Sequence, residues 1–158
     1  MLQPSGPVQS TYNRYLTVGQ VGTPASESGW DVDTRICQDD SSPAVGIGYG
    51  LVVVQGSDGD RAAKIGSGTV VGITRSNVSN TVLQFTDAYA DGQNMPVATR
   101  GDWWVIAEAA VTPSEAVYYN ATTGVLGHSG GTLLPDARWM TSASAGGLAV
   151  IRLGSPQI

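Results

Sequence analysis

The sequence predicts an all-β protein: a β-sandwich or jelly-roll-like barrel of short antiparallel strands with an extended N-terminal arm. Three observations carry that prediction. Apolar residues fall in strand-length runs such as Leu51-Val52-Val53-Val54 and Leu148-Ala149-Val150-Ile151, bounded by turn formers. The chain holds 21 Gly and 8 Pro among 158 residues, enough to punctuate many short strands. Finally, no window sustains a helical apolar period over the roughly 11 residues a helix call needs.

Taken in order, residues 1–40 carry several Pro and Gly, little periodicity and scattered aromatics at Tyr12, Tyr15 and Trp30, and read as an arm or irregular covering segment. Residues 41–158 read as the β-domain. Strands are expected at Ala44–Val54, Gly68–Ile73, Thr81–Phe85, Met95–Thr99, Asp102–Ala107, Ala116–Asn120, Ala137–Ser142 and Leu148–Leu153. Turns are expected at Ser57-Asp58-Gly59-Asp60, Ala90-Asp91-Gly92 and Thr123-Gly124, where Gly, Asn and Asp accept the backbone angles that turns require. Gly46, Gly48 and Gly50 alternate along the first of these strands and mark a kink, a bulge or a close backbone approach. Arg61-Ala62-Ala63-Lys64 is the best helical stretch and is too short to form a helix.

Charge and composition exclude several functions. The net charge is −5, with one Lys and no basic run, which argues against a nucleic-acid partner, since phosphate-backbone binding needs clustered cations. No stretch approaches the roughly 20 apolar residues of a membrane helix, and Met1–Gly22 lacks the charged-then-apolar pattern of a secretion signal. Synthesis and residence in a cytoplasm, without a membrane partner, are therefore expected. One Cys cannot form an internal disulfide, so Cys37 is expected to be a buried small residue, and one Cys with one His falls short of a zinc ligand set. The Asp pairs 31/33, 39/40 and 58/60 do not fit a calcium loop and read as solvated turns, so no metal or cofactor is expected.

Two motifs spell out chemistry that their context denies. Gly127-His128-Ser129-Gly130-Gly131 has the letters of a nucleophile elbow, but the elbow needs a helix after the Ser and a separate His as base. The chain's only His lies inside the motif, so a serine hydrolase using Ser129 is the weakest reading and no catalytic residue is assigned. Arg100-Gly101-Asp102 spells an adhesion tripeptide, yet it sits where a turn enters a strand.

The aromatics point to packing instead. Neighbouring strand residues face opposite ways, so Trp103 and Trp104 cannot share one core, and Tyr118 and Tyr119 repeat the problem. One of each pair must be covered by the chain's own arm or by another subunit. Tyr12, Arg14, Tyr15, Trp30, Trp103, Trp104, Tyr118 and Tyr119 are accordingly the candidate interface residues, Trp, Tyr and Arg being the types that dominate interface energetics. A carbohydrate- or receptor-binding β-module is the alternative, and it would need Trp103, Tyr118 or Trp139 in an open groove.

One ordered series of short motifs resembles a known family. Tyr89-Ala90-Asp91-Gly92, Met95-Pro96-Val97, Arg100–Val105, Ala110-Val111-Thr112-Pro113, Val117-Tyr118-Tyr119, Thr123-Gly124 and Ala145–Leu153 follow one another as in the cement (decoration) proteins of tailed-bacteriophage capsids, from Pro43 to the C-terminus. The resemblance implies no catalytic residues. It implies a capsid-binding β-domain on the exterior of the virion, made in the host bacterial cytoplasm, with the major capsid protein and further copies of itself, as a homo-dimer or homo-trimer, as partners. Its expected role is to bridge capsid subunits and stabilise the expanded shell against the pressure of packaged DNA.

Overall fold

The computed structural model describes residues 19–26, 29–76, 88–127 and 129–154. These residues form ten strands: β1 (Asp31–Cys37), β2 (Ile47–Gly48), β3 (Val52–Gln55), β4 (Ala62–Lys64), β5 (Val70–Thr74), β6 (Ala88–Tyr89), β7 (Asn94–Ile106), β8 (Ala116–Tyr119), β9 (Thr132–Trp139) and β10 (Leu148–Leu153). No helix occurs among the described residues, as the absence of helical periodicity predicts. The strand expected at Thr81–Phe85 lies outside them.

Eight strands run in the order β1-β4-β3-β5-β7-β10-β9-β8, and a further pairing of β1 with β7 closes the first five into a barrel. Asp33 pairs with Val97 on one edge of β7 while Thr74 pairs with Val97 on the other, so the first half of β7 is shared between β1 and β5. Cys37, Val53, Ala63, Met95 and Val97 pack together with Ile47 and Tyr89 from the small β2–β6 ribbon. The second half of β7 starts another sheet, β7-β10-β9-β8, whose far edge is joined back to β7 through Leu126, bridged to both Tyr119 and Ala107. Its core holds Trp103, Val105, Tyr119, Leu126, Trp139 and Ile151, and is continued by Val52, Ile73 and Ala98 of the barrel.

β7 is the beam common to both halves. The sequence reading breaks it into Met95–Thr99 and Asp102–Ala107, but the strand runs through for 13 residues. Gly101 lets it do so: its φ of +107° is one that a side chain would resist, and a Cβ there would collide with Trp30. The ladder with β1 shifts register next to this point, between Asp31 and Val32, where the strand passes from one sheet to the other.

Other expectations need correction. Asp31–Cys37, read as part of the irregular arm, is a full strand of the barrel. Ala62–Lys64, the helical stretch, is β4 instead, since pairing to β1 and β3 overrides the helix preference of alanine. The β1–β4 pair is parallel, so the strands are not all antiparallel. The glycine alternation at 46–50 does mark a kink: the expected Ala44–Val54 strand is split into β2 and β3, with Gly46 at φ +83° and Gly50 at φ +69°. Strand β10 has the predicted bounds, and β9 begins earlier than predicted, at Thr132.

Candidate functional site

The adjacent tryptophans divide as strand alternation demands. Trp103 points into the second core and is fully buried, with its Nε1 donating to the Arg100 carbonyl at 2.9 Å. Trp104 points the other way, yet it is only 8% exposed because the chain covers it with its own N-terminal residues. Residues 22–25 run antiparallel along the free edge of β7. Gly22 N–H donates to the Trp104 carbonyl at 2.8 Å, Trp104 N–H to the Thr23 carbonyl at 3.0 Å, and Ala25 N–H to the Asp102 carbonyl at 2.8 Å. Ala25, Val150 and Met140 then pack with the Trp104 ring, against which Gly19 lies too close to admit a side chain. Cover by the chain itself therefore accounts for Trp104.

The tyrosine pair splits the same way. Tyr119 is buried and Tyr118 is 41% exposed, next to the exposed Leu133 with which it pairs across β8 and β9. Trp30 is the other exposed aromatic among the named candidates. It meets Trp103 edge to face at 5.8 Å and carries the Arg75 guanidinium over its ring at 5.1 Å. Trp103, Trp104 and Tyr119 are thus interior residues, whereas Trp30 and Tyr118 remain on the surface. Tyr12, Arg14 and Tyr15 lie outside the described residues. Trp103 is buried in the core, whereas Trp139, 1% exposed, shows only its edge to an open groove of about 300 Å³ that the exposed Tyr118 also lines.

The chemical motifs resolve into structure. Asp102 of the adhesion-like tripeptide is almost wholly buried and holds Arg152 in a bidentate pair, 2.7 Å to Nε and 2.9 Å to Nη2, across the β7–β10 ladder. It is a structural carboxylate that no receptor can reach. Ser129 is followed within a few residues by strand β9, so the strand-to-helix turn of an elbow is absent; His128 lies outside the described residues. Cys37 is buried as expected, and burial, followed by the nearby charges of Asp39 and Asp91, pushes its thiol up to about 11.

The best-formed polar structure lies at the β1–β4 end of the barrel, which sequence reading left as arm and turns. Asp33 is gripped by Arg35 at 2.9 Å and Arg61 at 2.8 Å. Burial raises its carboxyl, but the Arg61 and Arg35 hydrogen bonds and charges outweigh it and leave the group below its ordinary value. Asp39 accepts the Ser41 hydroxyl and N–H and the Gly46 N–H, which overcome its own burial in the same direction. The nearly buried Gln38 ties this end together, accepting the N–H groups of Ser57 and Asp58 at 2.8 and 3.1 Å while donating to Asp40.

With this geometry in view, the comparisons are specific. The family described as structural cement protein (E217 gp24/Pam3 gp6) matches residues 8–154. The chain belongs to this phage cement protein family. Among solved structures, a chain of "The capsid of Myoviridae Phage XM1" has the same fold at a TM-score of 0.67 and 19% identity, over 98% of this chain and 99% of that one. No curated protein matches. A cement protein of this family is structural rather than enzymatic, which agrees with the failure of the Ser129 motif. The cement protein is thus a structural, capsid-associated component of the phage virion.

Proposed function

We propose that this cement protein binds the exterior of the expanded phage head, bridges neighbouring subunits of the major capsid protein and stabilises the shell against the pressure of packaged DNA. The observation that carries this reading is the family match over residues 8–154. The architecture suits the role physically. A body in which one 13-residue strand runs through two closed or nearly closed sheets has few ways to yield, and a rigid body transmits load between the subunits it touches. Binding only the closed, expanded lattice stabilises that lattice by mass action. Contact with more than one subunit, or assembly of the protein into a dimer or trimer, multiplies modest affinities through effective concentration. Trp30 and Tyr118 are the surface aromatics assigned to these contacts, and Tyr12, Arg14 and Tyr15, outside the described residues, are the further candidates.

Sedimentation of purified protein with expanded heads and with unexpanded shells tests the reading. Retention on expanded heads alone is expected. Equal retention on both, or on neither, contradicts it.

A further inference from the structure

The barrel end built from β1 and β4 carries an open groove of about 380 Å³ that the aromatic candidates do not explain. Its floor is apolar. Ile36 alternates outward from the buried Cys37, pairs with Ala62 of β4 and remains 44% exposed in the groove. Its rim is acidic. Asp58 and Asp60 stand on the turn after β3, and Asp91 stands on the turn before β7.

The backbone of both turns is pinned. Gln38 holds the N–H groups of Ser57 and Asp58, Gln55 donates to the carbonyls of Gly59 and Asp60 at 3.2 Å, and Gly92 N–H donates to the Cys37 carbonyl at 2.8 Å. The rim is net acidic: its three carboxylates outnumber the cations beside them. Arg61 also lines the groove and Arg35 donates to the Asp60 carbonyl at 3.3 Å, but both guanidiniums are drawn to the one Asp33 carboxylate, and Lys64 to Asp40. Asp58, Asp60 and Asp91 form no ion pair among the described residues; Asp91 accepts only the Asp39 N–H there. An apolar floor inside a fixed, net acidic rim is complementary to one kind of ligand: an aliphatic side chain flanked by cations.

We propose that this groove docks a basic segment of the capsid shell protein, with an aliphatic side chain on Ile36 and Ala62 and a Lys or Arg among Asp58, Asp60 and Asp91. The proposal rests on the capsid-binding reading above. Its test is a binding titration on stripped, expanded heads at low and high salt, with wild type, the double variant Asp58→Asn/Asp60→Asn, and Ile36→Thr. The double variant should bind about tenfold more weakly at low salt and lose much of the salt dependence, because exposed charges act over only about a Debye length of 10 Å at 0.1 M salt. Ile36→Thr should weaken binding at both salt concentrations alike. Thermal melting of the free proteins checks folding, and the exposed Asp→Asn changes keep the test valid should Ile36→Thr fail to fold. Wild-type affinity in the double variant, while wild type itself binds heads, overturns the groove and leaves the capsid reading standing. Unchanged head binding with loss of self-association would likewise overturn it, making a second copy the occupant. If wild type does not bind heads, the capsid reading falls and the proposal with it.

Discussion

The two halves of the molecule share β7 but are held together by different means. The barrel half is filled mainly with Val53, Ala63, Met95 and Val97 around the buried Tyr89, and its rim is tied by hydrogen bonds to the side-chain oxygens of Gln38, Asp33 and Asp39. The second half is filled with Trp103, Trp139 and Tyr119 and encloses the Asp102 carboxylate, paired with Arg152. The difference teaches where each half keeps its free chemistry. Most aromatic bulk in the second half is consumed by its own core, while the barrel half leaves polar and charged groups at its open end.

Truncation of a large core residue should expose this contrast most strongly. Trp139→Ala is expected to cost about 3–5 kcal/mol, and Val53→Ala about 1.5 kcal/mol, at about 0.8 kcal/mol per deleted carbon. Denaturant titrations of both variants measure the ratio; equal costs would mean that the halves are packed alike. Asp102→Ala comes next. It removes the Asp102 carboxylate from Arg152, and since Arg152 is about a quarter exposed, roughly 2–3 kcal/mol is expected rather than the full cost of breaking a buried pair. A loss below 0.5 kcal/mol, as for a surface pair of about that worth, would show the pair to be solvent-bridged.

Acid should act on the barrel half first. Asp33 and Asp39 have folded carboxyls below their ordinary value of 3.8, so their contribution is fully present above that pH and is lost as pH falls through the folded values. Melting temperature should therefore drop below about pH 4, and Asp39→Asn should flatten that drop while lowering stability at neutral pH. A variant with the wild-type acid profile would remove Asp39 from the explanation. The smallest effect is expected at Tyr119, whose hydroxyl is buried with no hydrogen-bond partner among the described residues. Tyr119→Phe should stabilise by about 1 kcal/mol, the order of an unsatisfied buried polar group. Loss of head binding in this variant would instead mean that a partner uses the hydroxyl.

The same contrast decided what could be read from the sequence. β10 and β8 announce themselves because their buried positions are apolar and their neighbours polar or turn-forming. β1, reading Asp-Val-Asp-Thr-Arg-Ile-Cys, hides because only Cys37 is fully buried; ladder hydrogen bonds and the Asp33–Arg pairs hold the rest. With β1 unseen, Ile36 had no face and the Asp58/Asp60 turn no groove to border. The split of Trp103 from Trp104 followed from alternation alone. The cover over Trp104 did not, since Gly19, Gly22 and Thr23 act through backbone and closeness rather than through apolar pattern. This places residues 19–25 with the fold, so cutting the arm back to Gly22 should lower stability as well as any attachment the arm makes.

The measurement that bears most directly on the cementing role is DNA release from stripped, expanded heads heated with increasing amounts of the purified protein. The disruption temperature should rise with added protein and level off when the sites fill, because a ligand that binds only the intact shell stabilises it in proportion to RT ln(1 + [L]/Kd) at each site. A flat disruption temperature at confirmed occupancy would contradict the cementing role and leave a protein that decorates the head without strengthening it.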